Sequence, residues 1–175
     1  MAADETGRFT WEQLGDLNAG RPNLGMEMPV AVYRVMQYTL RDVLAQQYGP
    51  EQADDLFRRA GQLAGAEFCR TQLDASVPLD EFVAQLQALL RELKVGILRV
   101  EALDADTLDM VLTVAEDLDC SGLPITGENV CVYDEGFIAG ILEKYTGKQF
   151  GVREVDCWAS GDRVCRFEVR PSDVV

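Results

Sequence analysis

Leu98-Arg99-Val100-Glu101-Ala102, then Leu108-Asp109-Met110-Val111-Leu112-Thr113-Val114, is where the chain changes its rhythm. Leu98, Val100 and Ala102 alternate with Arg99 and Glu101, and Leu108, Met110, Leu112 and Val114 alternate with Asp109 and Thr113. A period of two is the mark of a half-buried strand. Asp104-Ala105-Asp106 supplies a turn between the two runs. Folding there sets Val100 opposite Met110 and Leu98 opposite Leu112, which puts both apolar sets on one face of an antiparallel hairpin.

Everything before this hairpin repeats at helical spacing. Residues 30–47 carry Val32, Tyr33, Met36, Leu40, Val43 and Leu44 as a stripe. Gly49-Pro50 ends that helix and begins the next, over 51–70, where Gly61 and Gly65 sit one turn apart and invite close approach of another backbone. A third helix is predicted over 79–93. After the hairpin, 117–127 reads as a loop, 128–146 as a helix with Gly136 and Gly140 on it and Gly147 at its C-cap, and 150–158 and 163–169 as two further strands. The order is helices, hairpin, helix, hairpin. The class is therefore α+β, with helices packed on a four-stranded antiparallel sheet. Residues 1–28 read as an arm with a short helix opened by the capping box Thr10-Trp11-Glu12-Gln13, 29–170 as one domain, and 171–175 as a tail.

The chain has 175 residues, 47 % of them hydrophobic, and a formal net charge of −14, which suits a globular domain and disfavours direct contact with nucleic acid or anionic lipid. No apolar run of about 18 residues is present, so no membrane span is expected. The acidic opening Met1-Ala2-Ala3-Asp4-Glu5 does not read as a secretory signal, and a cytoplasmic location with reduced thiols follows. Histidine is absent, which removes His-based acid–base chemistry and Cys–His nucleophiles.

Five cysteines remain. Cys69, beside Phe68, reads as a core thiol. Cys131, Cys157 and Cys165, with Glu154 between the first two, form the pattern C-x22-E-x2-C-x7-C. A hairpin centred on Gly161 sets Cys157 opposite Cys165, with Cβ atoms roughly 4.5–5.5 Å apart. Cys131 falls in the first turn of its helix, where a thiolate is favoured. Soft thiolates so gathered are a metal site, with zinc the default ion. Glu154 has the wrong strand parity relative to Cys157, so its participation requires a β-bulge near Val155-Asp156. Cys120 is the alternative fourth ligand, with Asp117 and Asp119 beside it opposing its thiolate. A metal-free core and a redox pair are the competing readings of these thiols.

The block from Cys120 to Val169 resembles the 4-vinyl reductase domain family. The residues that carry the resemblance are Cys120, Val130-Cys131, Gly136-Phe137-Ile138-Ala139-Gly140, Tyr145-Thr146-Gly147-Lys148, Val152-Arg153-Glu154, Cys157, Gly161-Asp162, Cys165 and Phe167-Glu168-Val169. It implies a homodimeric fold of the nitric-oxide-signalling and Golgi-transport type. It also implies a sensor or carrier of a small hydrophobic or aromatic molecule, with a partner protein for any output. The spacing of the aromatic sensors' zinc ligands matches Cys131, Glu154, Cys157 and Cys165, which selects Glu154 over Cys120. Their phenol-gripping histidine has no counterpart here. A ligand pocket is expected between the third helix and the sheet, walled by Phe82, Leu86, Met110, Tyr133 and Phe137. No catalytic residue is assigned. The alternative is an accessory protein or reductase acting on a tetrapyrrole vinyl group, for which no dinucleotide or flavin motif is present.

Overall fold

The structure is a computed structural model and describes residues 9–172. The acidic opening and the last three residues of the expected tail lie outside the described residues. The chain divides into two compact units, Met1–Ala53 and Asp54–Val175.

In the first unit, Trp11–Leu14 form a single 3-10 turn. Thr10 N–H donates to Gln13 Oε1 at 3.3 Å, as the capping box requires. A short helix α1 (Leu17–Gly20) is capped by Asp16, whose Oδ1 accepts from Ala19 N–H at 2.9 Å. Helix α2 (Val30–Tyr48) stops at Gly49, whose φ of +90° suits glycine. The apolar stripe of α2 is open to solvent: Val32, Val35, Met36, Leu40 and Val43 are all exposed, and Gln37 is the buried residue of this helix.

Helix α3 (Pro50–Gln72) starts at the proline, as the Gly-Pro pair predicts. Helix α4 (Leu79–Glu92) precedes strands β1 (Ile97–Leu103) and β2 (Met110–Ala115); helix α5 (Val132–Thr146) precedes β3 (Phe150–Asp156) and β4 (Cys165–Pro171). The sheet runs β1-β2-β4-β3, and every neighbouring pair is antiparallel. Its buried face carries Leu98, then Met110, Leu112 and Val114, then Cys165, Phe167 and Val169. Helix α5 packs beside β3 and α4 beside β1.

The first hairpin keeps the expected faces but not the expected register. Val100 pairs with Leu112 and Leu98 with Val114, with an irregularity between Val100 and Ala102. The turn is longer than Asp104-Ala105-Asp106. Asp104 N–H donates to the Asp109 carbonyl at 2.9 Å, Leu108 N–H donates back to the Asp104 carbonyl at 2.8 Å, and Leu108 takes a left-handed φ of +64°. The reversal therefore falls later in the sequence. Because the slip is two residues, parity survives and the same side chains stay inside.

Four glycines join α3 to α5. A Cβ on Gly61 would strike the Tyr133 carbonyl and one on Gly65 the Phe137 carbonyl; a Cβ on Gly136 would strike the Arg58 carbonyl and one on Gly140 the Gln62 carbonyl. The helices thus meet backbone to backbone. Arg58 closes the contact with Nε and Nη2 bonds to Glu135 Oε2 at 2.9 and 2.8 Å.

Candidate metal centre

Three segments deliver the cysteines. Cys120 lies in the loop after β2, where Asp117 Oδ1 accepts from the backbone N–H groups of Asp119 (2.8 Å) and Cys120 (3.1 Å). This local turn fixes the Cys120 backbone. Cys131 is the N-cap of α5, one position earlier than the first-turn placement expected. Cys157 and Cys165 bracket the tip of the β3–β4 hairpin. The ladder ends at Asp156 paired with Arg166, so Cys157 falls one step beyond it, across from Cys165. A 3-10 turn, Trp158–Ser160, makes the reversal. The Thr126 and Gly127 N–H groups donate to the Ala159 carbonyl, and Trp158 Nε1 donates to the Leu123 carbonyl, which ties the Cys120 loop to this tip.

All four sulfurs converge. They lie within 4.8 Å of one another and are fully buried. Cys131 Sγ is 3.7 Å from Cys165 Sγ and 3.9 Å from Cys157 Sγ, and Cys120 Sγ is 3.0 Å from Cys165 Sγ. Tetrahedral zinc–sulfur bonds of about 2.3 Å imply sulfur–sulfur separations of roughly 3.8 Å. The two distances from Cys131 match that figure, and every cysteine is a free thiol. Four cysteines here can hold a metal ion. Without an ion, negative charge gathers on one sulfur. The thiol hydrogen bonds of Cys120, Cys131 and Cys165 pull Cys157 well below the ordinary thiol range. Its neighbours move up, Cys131 through its bonds to Cys120, Cys157 and Cys165, and Cys165 first of all through its bond to Cys120.

The bulge demanded by parity is present: the β3–β4 register shifts between Glu154 and Asp156. Glu154 accordingly shares the buried face with Cys157. Its Oε2 accepts from Cys131 N–H at 3.0 Å, while Oε1 is buried without a partner. Its own N–H donates to Glu135 Oε1 at 2.8 Å, so Arg58, Glu135 and the bulge form one chain of contacts. Burial pushes the Glu154 carboxyl up to about 8.

One turn into α5 the chemistry changes. A cleft of about 540 Å³, counted out to its mouth, lies between α4, the β1–β2 hairpin and α5, and narrows to about 50 Å³ of enclosed space. Leu86 and Phe137, both expected as walls, line it. Phe82, Met110 and Tyr133 lie elsewhere: Phe82 stacks on Tyr145 at 3.9 Å, Met110 pairs with Val169 at the far end of β2, and Tyr133 stacks loosely on Phe137 with centroids 6.5 Å apart. The sequence reading missed Asp117 and Asp134, the two charged residues of the lining. A signal existed in Asp134, an acidic residue three positions after Cys131 on an otherwise apolar helix. Burial and then Asp119 push Asp117 up to about 6; burial, then Asp119 and Asp117, push Asp134 well above the carboxylate range. Among the described residues, no helix is long and apolar enough to cross a membrane.

Residues 110–171 match the family model of the 4-vinyl reductase domain. The uncharacterized protein MJ0150 of Methanocaldococcus jannaschii is 28 % identical over 109 residues, 62 % of this chain and 62 % of its own length. The chain therefore spans less than two thirds of this curated relative. Among solved structures, the phenol-responsive sensory domain of the transcription activator PoxR, with phenol, aligns with a TM-score of 0.62 at 21 % identity, over 83 % of this chain and 76 % of that one. A vinyl-4-reductase family protein from Methanocaldococcus jannaschii gives 0.60 at 16 % identity, over 85 % of each chain. A trafficking protein particle complex subunit 3 from Naegleria fowleri, covalently bound to palmitic acid, gives 0.64 at 12 % identity, over 83 % of this chain and 96 % of that one. Identities this low establish the fold, and it is the expected one of helices on a four-stranded antiparallel sheet. The sequence match, the order of its motifs and the architecture agree, and through residues 110–171 the chain belongs to the 4-vinyl reductase domain family.

Proposed function

We propose that this chain is a small-molecule sensor or carrier domain, built on a structural zinc site and an apolar ligand cleft. The observation that carries the reading is the placement of α5. Its N-cap is Cys131, in the sulfur cluster, and its next turns present Phe137, Ile138, Ile141 and Leu142 to the cleft. Whatever fixes the start of this helix also fixes one wall of the binding space. The phenol-bound sensory domain among its structural neighbours supports a small hydrophobic or aromatic ligand.

Cys131, Cys157 and Cys165 supply three zinc ligands in this proposal. For the fourth, the position of Cys120 Sγ favours a sulfur, with Glu154 as the carboxylate that receives the Cys131 N–H. Bound zinc would supply cross-linking of loop, helix and hairpin, and with four protein ligands no open position for a reaction. The exposed apolar stripe of α2 supports a homodimer, since a surface of this kind is commonly covered by a partner. An output reaction or movement then belongs to a partner protein.

Native mass spectrometry of freshly purified protein tests all three parts together. The expected mass is that of two chains with one zinc per chain, and with a retained small molecule when purified from its own cells. Metal-free protein of unchanged stability would overturn the zinc reading. Replacing Cys120 by Ser and Glu154 by Gln separately identifies the fourth ligand through zinc content.

A further inference from the structure

We propose that the cleft selects a ligand with an apolar body and a hydrogen-bond-donating head, a primary ammonium above all, received by Asp134 and Asp117. The inference rests on the cleft being the ligand site and names the chemistry of its occupant. Apart from these two residues the lining is apolar or glycine, and it contains no donor side chain. The two exceptions are both carboxyls, and one oxygen of each lies within 4.8 Å of the other, close enough for a single head group to reach both. Asp134 Oδ2 is fully enclosed and accepts no hydrogen bond. Leaving such an atom unpaired costs about 1–3 kcal/mol, and a donor on the ligand removes that cost.

The sign of the charge narrows the class. A fatty acid or other carboxylate would bring a third acid to a buried pair, with Asp119, also buried, just behind them. A neutral hydroxyl offers one donor and no charge. An alkyl- or arylalkyl-ammonium offers three donors and the opposite charge, enough to satisfy both aspartates at once. Leu86, Leu112 and Ile138 would then hold its hydrocarbon part.

Isothermal titration of the full chain with benzylamine, benzyl alcohol, toluene and benzoate, at one pH and ionic strength, tests this. A hydrogen bond to a charged group is worth about 1.5–3 kcal/mol, so benzylamine should bind at least about tenfold tighter than toluene, with benzoate weakest. In Asp134→Asn the lead of benzylamine should shrink to a few-fold while toluene binding stays as it was, and unchanged metal content would show that the variant is intact. Should that variant fail to fold, the carboxyl-carbon NMR signal of Asp134 in the unsubstituted chain decides, since benzylamine must move it and toluene must not. Equal binding of toluene and benzylamine would leave the cleft a ligand site and overturn the donor-head inference. Benzoate binding best, or an Asp134 signal that does not respond to benzylamine, would also overturn it. Binding of none of the four would defeat the cleft reading and this inference together.

Discussion

Cys157 and Cys165 stand at the two ends of one hairpin tip, and each is completely enclosed. Replacing either by Ser keeps the shape but substitutes a hard oxygen for a soft sulfur. The expected outcome is loss of the metal and a destabilisation of several kcal/mol, on the order of what single structural metal or buried-network losses cost. Elemental analysis paired with thermal melting checks it, and an unaltered melting temperature in both variants would remove the site's structural role. Glu154 gives a prediction of a different kind. Its carboxyl rises from its ordinary value of 4.5 to about 8 because burial penalises the charged form. An acid raised in the folded state holds a proton there that the unfolded chain has already released. Metal-free protein should therefore lose stability as pH climbs from about 4.5 to about 8, with the contribution of Glu154 intact only below that window. Urea unfolding of chelator-treated protein across this range should slope downward, and Glu154→Gln should flatten the slope.

The elements show which parts of the sequence speak for themselves. Gly49-Pro50 marks a helix junction because one residue suits positive φ and the other suits a first helical position; both are local facts, and the junction is where they put it. The bulge at Glu154 is legible from parity alone. The register of the first hairpin is not, because Leu108 adopts a left-handed φ that its residue type does not advertise. Cys120 is harder still. Its approach to Cys165 depends on a loop closed by an aspartate turn and by bonds to the hairpin tip, contacts between residues far apart in the chain. The glycines of α3 and α5 predict a sharp contrast. Gly61→Ala and Gly136→Ala each drive a methyl into a carbonyl on the facing backbone, so overpacking of about 1–3 kcal/mol or more should outweigh a helix-propensity gain of about 1 kcal/mol. Gly20→Ala, in α1, meets nothing within 4 Å and should be neutral or mildly stabilising. Denaturant midpoints of the three variants would show the difference.

For the whole molecule, the composition promises a buried core, and the sheet delivers one around Phe167 and Val169, which have no exposed surface. Composition does not reveal that the apolar stripe of α2 is open to solvent, since periodicity reports that a face is greasy and not what covers it. Met36→Asp, placed on that stripe, should shift the population from dimer to monomer in light scattering, with far-UV circular dichroism unchanged. A dimer that persists would place the interface elsewhere. The seam between α3 and α5 also limits how an occupant of the cleft can be sensed. Two rods whose carbonyls interlock cannot ratchet lengthwise past each other, because each step would strip the thread. They form a single stiff beam. Any displacement produced by filling the cleft must then be taken up on its opposite wall, by a lever stroke of α4 and the first hairpin.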